Sequence, residues 1–390
     1  MSTEGGPILT KEDLDKEIDE GLKTEDARDH RKLNPVERFW AKLQPWFESR
    51  GYMLRPRYRP GWVPSWEETD ERASLDSEDW ISVNTAKTMD AVRIRDNYPV
   101  MLKAIWTHVH PYEVEIAQYL SSQELRSDPT NHCVPVLDVL HCSTYQNLTF
   151  IVMPLLRWFE NPRMATVGEA VDFFRQLFEG LQFMHKHRIA HRDCAAQNIR
   201  MDASAMYPKG FHAQRPWVLP EPGLPVAPWY HRTERPPKYY LIDFGISRRY
   251  NPGNGEPLEP VILGGDRTVP EFQGEGKYSP WNPFPTDIYY IGNVIKIDYL
   301  ERYTNFKFMQ ELVDDMRQED PSKRPTIDEV VNRMEGIIRS LSIFKLRSYL
   351  IERDMTPAEK CQDIAGNFFR QIFWVVRLLP AIPSYRKKKS

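Results

Sequence analysis

His191-Arg192-Asp193-Cys194-Ala195-Ala196-Gln197-Asn198 is the stretch around which the rest of the chain makes chemical sense. It follows a segment of helical periodicity, Val167 to His187, and sets an aspartate and an asparagine five positions apart on one short loop. That pairing suits phosphoryl transfer. Asp193 can accept the proton of an attacking hydroxyl, and the amide oxygen of Asn198 can help hold a magnesium ion against triphosphate oxygens. Further along, the apolar run Tyr239-Tyr240-Leu241-Ile242 delivers Asp243, Phe244 and Gly245. These supply a second acid, an aromatic ring to pack inward, and a glycine suited to a sharp turn.

The order H-R-D…N and then D-F-G resembles the protein kinases. The resemblance implies an α+β, two-lobed fold, with a small antiparallel-sheet N-lobe and a larger helical C-lobe, and it implies ATP and Mg2+ as cofactors. Asp193 would be the catalytic base, and Asn198 and Asp243 the metal ligands. Val100-Met101-Leu102-Lys103 looks like the strand whose lysine reaches the nucleotide phosphates. The lysine's partner should be a helix glutamate. Glu113 fits, with Val114, Ile116, Ala117 and Leu120 behind it at helical spacing, and Glu115 is the alternative. Phe150 to Leu156 resembles the connector between lobes, with Met153 behind the adenine and Leu156 offering backbone groups to the base edge, although Pro154 removes one donor.

Later motifs extend the match. Thr268-Val269-Pro270-Glu271 stands where the family has A-P-E, and Asp320 to Thr326 resembles D-P-x-x-R-P-T, so that Arg324 should pair with Glu271. Asp287, opening a buried helix, should hold the backbone of the catalytic loop. Between Asn198 and Asp243 lies an insert, 206–237, rich in proline and aromatics, which reads as a docked flap. Together with Arg59-Pro60-Gly61-Trp62-Val63-Pro64-Ser65-Trp66, it resembles a fungal branch of protein-kinase-like proteins, over about Pro35 to about Gly336.

The chain also departs from the pattern. Ile81 to Asp90, where a glycine-rich loop would cover the phosphates, contains no glycine. Side chains at Asn84, Thr85, Ala86, Lys87 and Thr88 would limit the approach of the backbone, so weakened nucleotide affinity, or a substitute contact from Lys87, is expected. Ala195 and Gln197 stand near where a cation would neutralise the moving phosphoryl group, which predicts slow turnover unless an arginine such as Arg232 reaches in from the insert. Arg192 could meet a phosphate on the segment after Asp243, with Ser247, Tyr250 or Thr268 as acceptors. The leading expectation is a protein kinase acting on a Ser/Thr or Tyr hydroxyl of a protein substrate. A pseudokinase scaffold that signals by contact is the alternative. A small-molecule phosphotransferase of the aminoglycoside or choline type is a second alternative, though it would not be expected to carry Pro270-Glu271 together with Arg324.

At 390 residues and net charge −3, the chain suits one two-lobed unit with extra ends, and no basic block argues for nucleic acid. Four cysteines without a C-x-x-C pair, and an acidic, polar N-terminus unlike a secretory signal, point to an intracellular address, cytoplasmic or nuclear. The expected organisation is a polar tail over 1–34, a helix and Pro/aromatic extension over 35–79, an N-lobe over 80–155, a C-lobe over 156–340, and a helical extension with a basic tail over 341–390. Within that extension Phe368 to Ile382 is apolar, with Arg370 and Arg377 interspersed, and Arg386-Lys387-Lys388-Lys389 follows. An interfacial membrane helix would read this way, but packing against the C-lobe is the preferred expectation.

Overall fold

The computed structural model describes residues 9–24, 29–66, 77–221, 223–262 and 264–385. Parts of the expected N-terminal tail, Pro222 of the insert and the basic run 386–389 lie outside the described residues. The chain divides into two compact units. The first comprises Met1–Gln118, Pro135–Leu156 and Tyr207–Pro228; the second comprises Tyr119–Val134, Arg157–Met206 and Trp229–Ser390. The architecture is α+β, with an antiparallel sheet near the N-terminus and a mainly helical C-terminal region.

In the first unit five strands pair in the order β1-β2-β3-β5-β4: β1 (Tyr52–Leu54), β2 (Thr88–Arg93), β3 (Tyr98–Trp106), β4 (Asp138–His141) and β5 (Leu148–Pro154). Every pairing is antiparallel. The alternation of β3 buries Val100, Leu102 and Ala104, and it sets Lys103 on the other face, opposite Thr88 on one side and Ile151 on the other. Helices α1 (Lys11–Gly21) and α2 (Pro35–Ser49) precede the sheet. Asn34 and Glu37 form a reciprocal cap at the start of α2, with Pro35 in its first turn. Its Phe39, Trp40, Leu43 and Phe47 share one core with Leu102, Phe150 and Val152. The Phe47 and Phe150 rings lie 4.9 Å apart, edge to face.

Trp80-Ile81-Ser82-Val83 has the composition of a strand but does not form one. Trp80 closes a single 3-10 turn (Glu78–Trp80), residues 81–85 are irregular, and β1 takes the sheet edge beside β2. The carbonyls of this stretch are taken by side chains. Arg55 donates to Ile81 O at 2.7 Å, Asn34 to Val83 O at 3.1 Å, and the Trp40 indole to Thr85 O at 3.0 Å. Acceptors satisfied in this way leave no ladder to form. Asn131 to Leu140 also reads as a strand, but only β4 forms in this sheet; Asn131 N donates to Asp128 O and Val134 N to Leu241 O instead.

In the second unit α4 (Val167–Lys186) runs through the core, with Phe173, Phe174, Leu177, Leu181 and Met184 buried. Thr166 caps it, accepting from the Glu169 amide at 3.2 Å, but the Glu169 carboxylate does not return the bond. It serves Ala165 N and Thr233 instead, at 2.7 and 2.9 Å. Short strands β7 (Ile189–Ala190) and β10 (Arg248–Arg249) pair with each other, and β6 (Arg157–Trp158), β8 (Ile199–Asp202) and β9 (Lys238–Leu241) form a three-stranded sheet. The stretch 191–198 therefore leaves β7 and re-enters structure at β8. Helix α5 (Pro283–Ile295) carries Asp287.

Candidate active site

In the first unit Lys103 makes an ion pair with Glu113, the first residue of α3 (Glu113–Leu120). The Glu113 side chain is 2% exposed, so a cation must accompany its charge. Glu115, one turn face away, is exposed. Met153 is buried in β5 opposite Met101, and Leu156 is half-buried just past the strand end. Lys87 is exposed. The glycine-free segment is held from behind by the Asn34 and Trp40 bonds already described, and Thr85 Oγ1 also accepts from Lys87 N at 3.1 Å.

In the second unit the loop 191–198 is organised by Asp287. Its Oδ2 accepts from His191 N at 2.8 Å and from His185 Nε2 at 3.0 Å; its Oδ1 accepts from Arg192 N at 2.7 Å. Arg192 has φ +68°, a conformation uncommon for a side chain with a Cβ and held here by that carboxylate. His191 is fully buried. Its Nδ1 accepts from Asp193 N at 3.3 Å, so Nε2 carries the hydrogen and donates to Ile242 O at 3.1 Å. Burial pushes the imidazole below its usual range, in keeping with a neutral ring that ties the 193 loop to the strand before Asp243.

Asn198 Nδ2 donates to Asp193 O at 2.8 Å and to Asp193 Oδ2 at 2.9 Å. Asn198 O accepts from Ile242 N at 2.9 Å. Asp243 has φ +66° and is exposed, with its Oδ1 taking the Gly245 amide at 3.2 Å. Phe244 is 1% exposed and packs 5.6 Å from the His191 ring. The loop thus brings Asp193, Asn198 and Asp243 together on one frame. Burial raises the Asp193 carboxyl above its usual range, with Asp243 adding to the rise, while the Gly265 amide, His191 and Asn198 oppose it.

Two residues not anticipated from sequence complete the picture. Gly265 N donates to Asp193 Oδ1 at 2.8 Å. A Cβ on Gly264 would stand 2.5 Å from the same oxygen, and one on Gly265 would overlap the Gln197 amide. The adjacent Gly264-Gly265 pair lets backbone lie directly on the carboxylate. A paired glycine well past Asp243 was the only signal for this contact.

Arg232 does not serve as a mobile cation. Its buried guanidinium donates to Phe159 O at 2.7 Å, Arg163 O at 3.2 Å and Tyr239 Oη at 3.1 Å, which fixes it within the packing. Arg192 meets a carboxylate: Glu259 lies 3.2 Å away, and the carbonyls of Pro260 and Ile246 take the other donors at 2.9 and 3.2 Å. Ser247 is buried with its hydroxyl on His191 O at 2.9 Å, so it is no exposed acceptor. Thr268 Oγ1 bonds Asp266 at 2.7 Å and Tyr289 Oη at 3.1 Å. Glu271 and Arg324 form a buried two-pronged ion pair at 2.8 and 2.6 Å, with Thr286 Oγ1 donating to Glu271 at 2.8 Å.

Magnesium commonly takes one or two protein oxygens and completes its shell with phosphates and water. The donor set fits that demand. Both bonds of the Asn198 side chain use its nitrogen, which leaves the amide oxygen for a hard cation, and Asp243 offers a carboxylate on the same frame. Among the described residues no group of three or more His, Cys, Asp or Glu is gathered to hold a metal by protein ligands alone. A scan against protein-family models finds none that matches the chain.

Proposed function

We propose that the chain is a protein kinase that transfers the γ-phosphoryl group of ATP to a hydroxyl of a protein substrate. The observation that carries this is the frame of Asp193, Asn198 and Asp243, fixed through His191, Ile242 and the two backbone bonds to Asp287. Asp193 is assigned the substrate hydroxyl: as the oxygen forms its bond to the γ-phosphorus and the bond to ADP breaks, the proton passes to the carboxylate. Asn198 and Asp243 would hold magnesium, which supplies charge neutralisation to the phosphate oxygens. Lys103, oriented by Glu113, is assigned the α/β phosphates. The buried Glu271–Arg324 pair favours a protein substrate over a small molecule, as the resemblance implies.

The second reading, a scaffold that acts through contacts, is favoured by particular features. The segment 81–88 has no glycine, no cation stands at 195 or 197, Arg232 is committed elsewhere, and Gly265 covers one oxygen of Asp193. Purified chain with radiolabelled ATP, magnesium and a generic protein substrate, beside Asp193→Ala, separates the two. Label transfer by the parent and not by the variant supports the kinase; equal label in both ends the catalytic claim. A thermal shift with Mg-ATP that is lost in Asp243→Asn tests nucleotide binding apart from turnover.

A further inference from the structure

The C-terminal helix α9, spanning Pro357–Val376, is turned inside out. At 100° per residue its last turns divide cleanly. Asn367, Arg370, Gln371 and Trp374 fall within one arc, and this arc faces the second unit: Asn367 and Trp374 are buried, and Arg347 donates to Gln371 Oε1 at 3.1 Å. Phe368, Phe369, Ile372, Phe373, Val375 and Val376 fill an opposite arc about 160° wide, and they are 48% to 76% exposed. A surface helix ordinarily shows the reverse, its apolar stripe inward and its polar residues in water. A contiguous apolar face of this kind marks an interaction surface.

Charge selects the occupant. In a chain of net charge −3, residues 366–390 hold Arg370, Arg377, Arg386, Lys387, Lys388 and Lys389 and not one acid. A second copy of the same face would bring like charges together, whereas an anionic lipid surface would meet them with opposite sign. Among the described residues no helix is long and apolar enough to cross a membrane, so a helix of this pattern would lie along the surface.

We infer that the outer face of α9 docks the chain on anionic membrane surfaces, phenyl and branched side chains entering the acyl boundary, while the basic excess that the sequence carries over 366–390 favours anionic headgroups over neutral ones. The apolar arc already faces outward, so no repacking of the second unit is required. The inference does not depend on the kinase assignment.

The test is co-sedimentation of the full chain with vesicles of phosphatidylcholine alone and of phosphatidylcholine with phosphatidylserine. Binding is expected only with phosphatidylserine and should weaken with salt. Phe369→Glu with Phe373→Glu, both at exposed positions, should abolish it. Replacing Arg386, Lys387, Lys388 and Lys389 by glutamine should lower the partition coefficient by about fivefold per charge. Unchanged melting of each variant shows that folding is intact. Equal binding to both vesicle types, no binding to either, or lipid-independent self-association that disappears in the Phe369→Glu, Phe373→Glu variant would each overturn the inference, the last in favour of a second copy.

Discussion

Replacing Asp287 by asparagine alters one atom of a side chain and should unsettle the whole 191–198 loop. The carboxylate accepts three N–H bonds, from His191 N, Arg192 N and His185 Nε2, and a longer S–H contact from Cys194 Sγ at 3.7 Å. Whichever way the new amide turns, its NH2 faces a donor. The least costly arrangement keeps the amide oxygen on His191 and His185 and leaves Arg192 N facing nitrogen. Loss of a charge-assisted bond that strands a buried N–H costs about 3 kcal/mol. For a unit of this size that corresponds to a melting point lower by about 6–12 °C. The left-handed backbone at Arg192, φ +68°, would also lose the bond that holds it, so Asp193 should move relative to Asn198. Thermal melts followed by far-UV circular dichroism, together with label transfer from ATP, measure the two consequences separately. Asp287→Glu is the control for charge without shape. A shift below about 1 °C, a sixth or less of the expected fall, would refute the view that this carboxylate supports the loop.

Three further outcomes are expected. Arg324→Met strands the buried Glu271 carboxylate and should cost about 3–5 kcal/mol, whereas adding Glu271→Met should recover part of that loss; denaturant titrations in which the two single costs simply add would contradict the coupling. Gly264→Ala places a methyl against Asp193 Oδ1 and should lift the 264–265 backbone from Asp193. If that contact restrains the base, turnover rises about tenfold, the worth of one weak charge-assisted bond; unchanged or lower turnover would show that the contact does not inhibit. His191 is held below its usual range by burial, so the unfolded chain takes up a proton near pH 6.5 that the folded chain refuses. Stability should therefore fall as pH drops through and below that point, and His191→Gln should flatten the slope. Asp193, raised by burial, acts with opposite sign at lower pH, since there the folded state binds the proton first.

The local features of this chain were legible where one residue type answers one physical demand. The α2 start was readable because Asn34, Pro35 and Glu37 each satisfy a distinct need of a helix N-terminus. Lys103 could be placed on β3 by alternation alone, with Val100 and Leu102 on the opposite face. Choosing between Glu113 and Glu115 required the angular setting of α3, which short-range periodicity does not fix. What escaped the sequence were competitions for backbone acceptors. Trp80 to Val83 has the composition of a strand, but Arg55 and Asn34 reach its carbonyls from positions 26 and 49 residues away, and Trp40 takes that of Thr85 just beyond. No local pattern encodes such a rival.

The same logic applies to Arg192 and Arg232. An arginine in sequence is a charge with five donors, and whether it can meet a phosphate depends on how many of those donors are already spent. Arg232 spends its donors on two carbonyls and a phenol while nearly excluded from water. Freeing it would expose three acceptors and leave a cavity, so its recruitment to a reacting phosphoryl group is disfavoured on energetic grounds. Arg192 already pairs with the Glu259 carboxylate. If the chain transfers phosphate, the backbone of Gly265 on Asp193 is a contact through which substrate access to that carboxylate would be set.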